Sequence, residues 1–207
     1  PVRILAVSFL VFEGIDGAGK SSQVAALIER LEAAGRTVRR LVEPTNGEHG
    51  SELRRRAREG PPLSAQEELD LFVTDRRENV TQNVLPALAA GEVVVQDRSY
   101  FSTAAYQATR PELGLTPEQI VALHAWAPCP DLVLFLDLPV DVGLARVARR
   151  GAGDAFEEEG RQRKVRANFL ALAERTPAFR RIDATQAPEQ VAAAVWAAVS
   201  AHLEDAK

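Results

Sequence analysis

Gly14-Ile15-Asp16-Gly17-Ala18-Gly19-Lys20-Ser21, followed by Ser22, fits the phosphate-loop pattern G-x-x-x-x-G-K-[ST] without a gap. Its glycines let the backbone curl so that successive N–H groups face one concavity. A helix beginning near Gly19 adds its positive end to that cradle. Lys20 is placed to reach the β- and γ-phosphates of a nucleotide, and the Ser21 hydroxyl to be a ligand of Mg²⁺. The flanks agree with this reading. An apolar run ends at Phe12 just before the loop, and an amphipathic pattern of Val24, Leu27, Ile28 and Leu31 follows it. Strand, glycine loop and helix together make residues 14–22 a nucleotide-binding element.

Outward from the loop, apolar segments of two lengths alternate, as βαβ units around a parallel sheet require. Strands are expected at 3–12, 37–42, 92–96, 131–137 and 179–183, nearly continuous in Val, Ile, Leu and Phe, as for strands buried on both faces. Helical patterns cover 19–35, 50–59, 64–90, 101–108, 116–126, 139–150, 161–175 and 187–204. Ser64 with Glu67 resembles a capping box, and Pro117 and Pro139 stand where a first helical turn tolerates proline. The fold class is α/β, a P-loop NTPase three-layer sandwich with a five-stranded parallel sheet flanked by helices. Residues 1–207 read as one domain, without repeat, linker or low-complexity tract. The segment of about 150–161, bounded by Gly151 and Gly160 and flanked by arginines, reads as a short mobile lid.

Composition narrows the partners. With 25 basic and 29 acidic residues the net charge is −4, which argues against an extended nucleic acid as ligand. Lysine occurs only at positions 20, 164 and 207, so cationic chemistry falls mostly to arginine, the better fork for phosphate. Cys129 is the sole cysteine, in a Pro-Cys-Pro turn, which excludes an intrachain disulfide and points to a structural thiol in a reducing compartment. No apolar run approaches the ~20 residues that span a bilayer. The apolar opening runs into the glycine loop without a cleavage site and reads as a strand, not a signal peptide. A cytoplasmic protein with no membrane partner is expected. Of the three histidines, His49, His124 and His202, only His49 falls near the predicted site, and none is given a catalytic role.

Phe12-Glu13-Gly14-Ile15-Asp16-Gly17-Ala18-Gly19-Lys20-Ser21-Ser22 resembles the opening of the thymidylate kinase family. Further matches follow in the family's order: Glu43-Pro44, Phe72 with Asp75-Arg76, Asp97-Arg98, and Ser102-Thr103 with Tyr106-Gln107. Pro130-Asp131-Leu132 and Arg150-Gly151 with Asp154 and Glu157 complete them, so the likeness spans almost the whole chain. The resemblance implies transfer of the ATP γ-phosphate to dTMP with Mg²⁺, in a symmetric homodimer packed through the 64–90 helix. It implies that Arg98 grips the acceptor phosphate and that Asp97 belongs to the metal and water shell. Phe72 would stack on thymine and Arg76, one turn later, would donate to its O4. Thr103 would meet the base edge at N3, Tyr106 would crowd the 2′ carbon of the sugar, and Asp16 would lie near the 3′-hydroxyl. Glu43, Pro44, Ser102 and Gln107 line the acceptor side, Arg54 is a candidate for the acceptor phosphate, and Arg146 a candidate to stack on adenine.

Departures from the family pattern matter as well. The arginine common before Glu43 is absent, Gly17 lacks the arginine some members carry, and the usual lid arginine is replaced by Ala155. Arg149, Arg150 and Arg161 are then the suppliers of a cation for the transferring group, with Arg150 first. Two other readings remain: a kinase for another deoxynucleotide or nucleoside acceptor, and a regulatory module whose P-loop is only a switch. Phe72, Arg76 and Thr103 stand against the first, and the Asp97-Arg98 pair against the second.

Overall fold

The computed structural model describes residues 8–59, 61–148 and 155–205. The apolar run before the glycine loop forms β1 (Phe9–Glu13), buried at every position. Residues 3–7 of the expected first strand, and residues 149–154 of the expected lid, lie outside the described residues. β2 (Val38–Val42), β3 (Val93–Asp97), β4 (Leu132–Asp137) and β5 (Phe179–Asp183) complete a parallel sheet in the order β2-β3-β1-β4-β5. The three central strands are wholly buried, while β2 and β5, which carry Arg39, Arg40, Arg180 and Arg181, take the edges. Along β1 the side chains alternate between two cores. Leu10 and Phe12 join the large cluster, whereas Phe9 and Val11 pack with Val84, Ala87 and Val94.

α1 (Lys20–Ala33) starts from Gly19 and buries Val24, Leu27 and Leu31. α2 (Glu48–Glu59) leads to α3 (Ala65–Asn79), whose start is the expected capping box of Ser64 and Glu67. The single helix expected over 64–90 is interrupted. A π-turn at Val80–Val84 widens it before α4 (Leu85–Ala89), with Leu85 N–H reaching back to Val80 O. Pro86 supplies the reason, since its ring and missing N–H do not fit a regular turn, and a widened turn absorbs both. α5 (Tyr100–Gln107), α6 (Pro117–Ala122), α7 (Val140–Ala148), α8 (Ala155–Arg175) and α9 (Pro188–Asp205) follow. Residues 155–161 of the expected lid are therefore the first turns of α8. No described helix is long and apolar enough to cross a membrane.

This topology positions the site. β1 lies between β3 and β4, so successive crossovers leave it in opposite directions, and ligands of open α/β sheets bind outside the strand ends at such a point. Pairing of Phe12 with Asp97 brings the carboxyl ends of β1 and β3 level.

Candidate active site

The loop after β1 is shaped by glycines, and at Gly17 the packing leaves no room for a side chain. Gly17 has φ 80°, and a Cβ there would lie 2.2 Å from the carbonyl oxygen of Gly143 on α7. A Cβ on Gly143 would in turn lie 2.7 Å from the Asp16 carbonyl oxygen. The two glycines interlock, which gives a packing reason for the missing arginine at position 17. Lys20 is buried beneath the loop, its Nζ donating to the carbonyls of Gly14 and Ile15 at 2.9 Å each. Burial, assisted by neighbouring Arg98, pulls its pKa down to about 7 against the opposing carboxylates of Asp16, Asp97 and Glu13. Ser21 Oγ donates to Asp97 Oδ2 at 2.7 Å, so the two expected metal-shell residues meet at the end of β3. On the other side of the loop, Arg146 Nη1 donates to Ala184 O at 3.0 Å beside a cavity that also touches Gly19, Ser22 and Gln186.

Arg98 stands between this loop and a second cavity, and it lines both. Among the described residues it is the one non-glycine with positive φ, 70°, a conformation that turns the chain sharply off the strand. Its guanidinium pairs with the Asp16 carboxylate, donates to Ser102 Oγ at 3.1 Å and lies 5.2 Å from the centre of the Tyr106 ring. Burial opposes the charge on Arg98, but Tyr106 and the carboxylates of Asp16 and Glu13 outweigh it and raise the pKa. For Asp16, burial pulls upward and is outweighed by Arg98 and Lys20, so its pKa is lowered. Glu13 anchors the turn from below. Fully buried, it accepts from the Ser99 N–H at 2.8 Å, the Ser99 hydroxyl at 2.9 Å and the Ser102 N–H at 3.1 Å. Burial raises the Glu13 pKa against these donors and Arg98.

The second cavity is walled by Phe72, Arg76, Thr103, Tyr106 and Gln107, with Glu43, Pro44 and Ser102 at its margins. Arg76 is 2% exposed and heavily engaged. Its Nε and Nη2 meet Glu43 Oε2 at 2.8 and 2.7 Å, and Nη2 also donates to Thr103 Oγ1 at 2.9 Å. The remaining nitrogen, Nη1, lies 2.7 Å from Nε2 of His124. Asn79 Nδ2 donates to the other oxygen of Glu43 at 3.0 Å. The Glu43-Pro44 loop is held by Asp75, which accepts from Thr45 N at 2.8 Å, and by Arg54, which donates to Pro44 O at 2.8 Å and Asn46 Oδ1 at 3.0 Å. Arg54 braces this loop and is not part of the cavity wall. Arg161, on α8, does line the cavity. Its guanidinium lies 5.9 Å from the centre of the Tyr106 ring, and its buried Nε has no hydrogen-bond partner among the described residues. Arg149 and Arg150 lie outside the described residues.

A profile of the thymidylate kinase family matches residues 12–195. The chain belongs to the thymidylate kinase family. It is 44% identical to the thymidylate kinase of Akkermansia muciniphila over 197 residues, which cover 95% of this chain and 93% of the relative. The thymidylate kinase of Xanthomonas campestris pv. campestris is also 44% identical, over 95% of this chain and 84% of its own. The probable thymidylate kinase of Pyrococcus horikoshii is 40% identical over 94% of this chain and 97% of its own. The chain is thus a phosphotransferase of the nucleotide kinases.

Within that family frame, the structure brings together Asp16, Lys20, Ser21, Asp97 and Arg98 on one side and Phe72, Arg76, Thr103 and Tyr106 on the other. In the sequence Glu13 carries no signal beyond its place in the motif, and His124 carries none. His49, the histidine expected nearest the site, lies 3.1 Å from Glu78, while it is His124 that reaches Arg76. The chain turns repeatedly after α6, across residues 123–127, and His124 is buried there. Forty-eight positions separate it from Arg76, so no local pattern could reveal the contact. Cys129, expected as a structural thiol, is exposed.

Proposed function

We propose that this protein transfers the γ-phosphate of ATP to dTMP, giving dTDP and ADP, with residues 1–207 acting as one P-loop kinase domain. The observation that carries the reading is Arg98, which lines both the phosphate-loop cavity and the cavity holding Phe72, Arg76 and Thr103. A donor triphosphate on the loop and an acceptor monophosphate in the second cavity would meet at its guanidinium. The second pKa of a monophosphate is about 6, so the acceptor is mostly dianionic at pH 7 and needs no base to become a nucleophile. What the site has to supply is positive charge between two polyanions, and positioning.

Arg98 supplies a fixed cation, and Lys20 a second one once a bound phosphate keeps it protonated. Asp16, paired with Arg98, sits where the sugar 3′-hydroxyl can reach it. Phe72 offers its ring to the base, Arg76 an N–H to O4, and Thr103 Oγ1 a second lone pair for N3–H. Tyr106 closes the space beside the 2′ carbon. Arg146 faces the adenine, and the cradle of residues 14–22 takes the donor phosphates. Mg²⁺ fits the paired Ser21 and Asp97. Among the described residues no group of three or more His, Cys, Asp or Glu could hold a metal, which suits an ion that takes part of its shell from nucleotide phosphates. When bound it would neutralise charge on the β- and γ-oxygens.

A phosphoryl-transfer assay across dTMP, dUMP, dCMP, dAMP, dGMP and the ribo counterpart of dTMP tests the assignment. The expected result is preference for dTMP, with the ribonucleotide poor until Tyr106→Ala admits it. Preference for dCMP or a purine would move the protein to the alternative, a kinase of another deoxynucleotide or nucleoside. The family likeness also supports a homodimer through α3 and α4, where Leu85 is 48% exposed. Sedimentation at the mass of one chain would overturn that assembly.

The cation facing the transferring group is proposed to be Arg161. The support is its place in the cavity wall, with a buried Nε that has no partner among the described residues. Arg161→Ala should lower kcat on the order of 10²-fold or more, with little change in the KM for dTMP, as loss of a contact made in the transition state does. A near-normal Arg161→Ala beside a crippled Arg150→Ala or Arg149→Ala would return the role to the latter.

A further inference from the structure

We propose that His124 is a positioning residue for base selection: through Nε2 it holds the Arg76 guanidinium in the orientation that presents an N–H to the acceptor base. The inference rests on the reading of the Phe72-Arg76-Thr103 cavity as a pyrimidine pocket. It starts from how Arg76 is held. Both of its contacts with Glu43 converge on one oxygen, Oε2, because Oε1 takes the hydrogen bond from Asn79. The pair is therefore not the two-oxygen fork that fixes a guanidinium in its plane. With Thr103 Oγ1 also on Nη2, these anchors act on the Nε and Nη2 side of the guanidinium, and the far edge at Nη1 needs a contact of its own. Nη1 has that contact in His124 Nε2, at 2.7 Å.

The imidazole is itself fixed on every side. His124 Nδ1 lies 2.9 Å from the carbonyl oxygen of Ile120, which can only accept. Nδ1 therefore carries the proton, and Nε2 presents a lone pair to Arg76. The ring stacks on Tyr100 at 5.8 Å between centres and 13° between planes, and the Trp126 ring is centred 6.2 Å away. Trp126 is pinned in turn by its indole N–H to Leu123 O at 3.0 Å and by Arg77 over its ring at 4.4 Å. Burial, with Arg76 beside it, pulls the His124 pKa down to about 4, so the ring stays an acceptor at neutral pH. A side chain that merely filled this space would need neither nitrogen. This one uses both, and the second is aimed at the group expected to read the base.

His124→Leu and His124→Gln, assayed with dTMP and dCMP, separate positioning from filling. A hydrogen bond to a charged group is worth about 1.5–3 kcal/mol, which is roughly ten- to a hundredfold. His124→Leu should lose about that factor in kcat/KM for dTMP, mostly through KM, and should narrow the dTMP to dCMP ratio. His124→Gln, whose amide oxygen can stand near the Nε2 position, should recover most of both. Equal losses in the two variants, or an unchanged ratio in His124→Leu, would overturn the role of His124. A second measurement needs no variant: ¹⁵N NMR of the unaltered protein should show His124 with Nε2 unprotonated at pH 7 and shifted on adding dTMP. A protonated Nε2, or one indifferent to dTMP, would overturn it even if His124→Leu did not fold. An unaltered enzyme that prefers dCMP would instead sink the pyrimidine-pocket reading itself.

Discussion

Lys20→Ala should abolish phosphoryl transfer, lowering kcat on the order of 10³-fold or more, while the fold survives. The ammonium is buried under the loop, bonded to two carbonyls and crowded by Arg98, which is why its pKa falls to about 7. A triphosphate on the loop reverses that balance, because an anion within a few ångströms favours the protonated amine. Binding of ATP at pH 8 should therefore take up a proton. Calorimetry in buffers of different ionisation enthalpy reads this uptake, and Lys20→Ala should lose it. The stability consequence has a definite sign. The native pKa lies below the ordinary 10.5, so as pH falls from there the unfolded chain binds a proton that the native chain does not. The resulting penalty grows down to about pH 7 and stays below it. Removing the amine removes the penalty, and Lys20→Ala should melt at or above the unaltered protein at pH 7. A variant that keeps a third of the original kcat would sink the assignment of Lys20.

The parts of this site that were legible in the sequence are those in which one local element carries the chemistry. Strand, glycine loop and helix are contiguous, so residues 9–33 state their own geometry, and the three central strands follow from apolar runs that the sheet buries. Arg98 was legible in place as the residue that follows a central strand, and in role only through the family likeness. Its left-handed backbone depends on Phe12 O, which accepts from its N–H at 2.9 Å across the sheet, and on Glu13 fixing the turn at Ser99. Those partners lie more than 80 positions away. The interlock of Gly17 with Gly143 is equally non-local, so the lack of arginine at 17 read only as a departure until the packing explained it. Pro86 shows a different limit. It sits in an apolar pattern that continues through it, and periodicity cannot tell a helix that stops from one that widens by a residue. The network of Glu43, Arg76, Asn79 and His124 draws on three separate segments, the loop after β2, α3 and the turns after α6, and burial of its charges demands partners that no single segment contains.

Arg76→Ala should damage dTMP turnover and at the same time blunt discrimination against dCMP. Arg76 can only donate, which suits the O4 carbonyl of thymine or uracil and opposes the 4-amino group of cytosine. Its guanidinium is 2% exposed and already bound to Glu43, Thr103 and His124, so it cannot swing to water when the wrong base arrives. Cytosine would leave a buried donor facing a donor, and mismatches of this kind can reach about 10⁴–10⁵-fold discrimination. The 5-methyl group carries far less. One buried methyl is worth about 1 kcal/mol, which limits the penalty on dUMP to roughly tenfold, at most a few hundredfold. The expected order is dTMP, then dUMP at a measurable fraction, then dCMP and the purine monophosphates near background. In Arg76→Ala the cation is gone and Glu43 is left buried with Asn79 as its neighbour, a loss that should fall on every acceptor. What separates specificity from simple damage is the ratio. If Arg76 reads O4, kcat/KM for dTMP should fall much further than that for dCMP, whose mismatch the substitution removes. Parallel losses for both bases would show that Arg76 serves the architecture of the pocket, and the reading of the base would then have to come from Thr103 and Phe72.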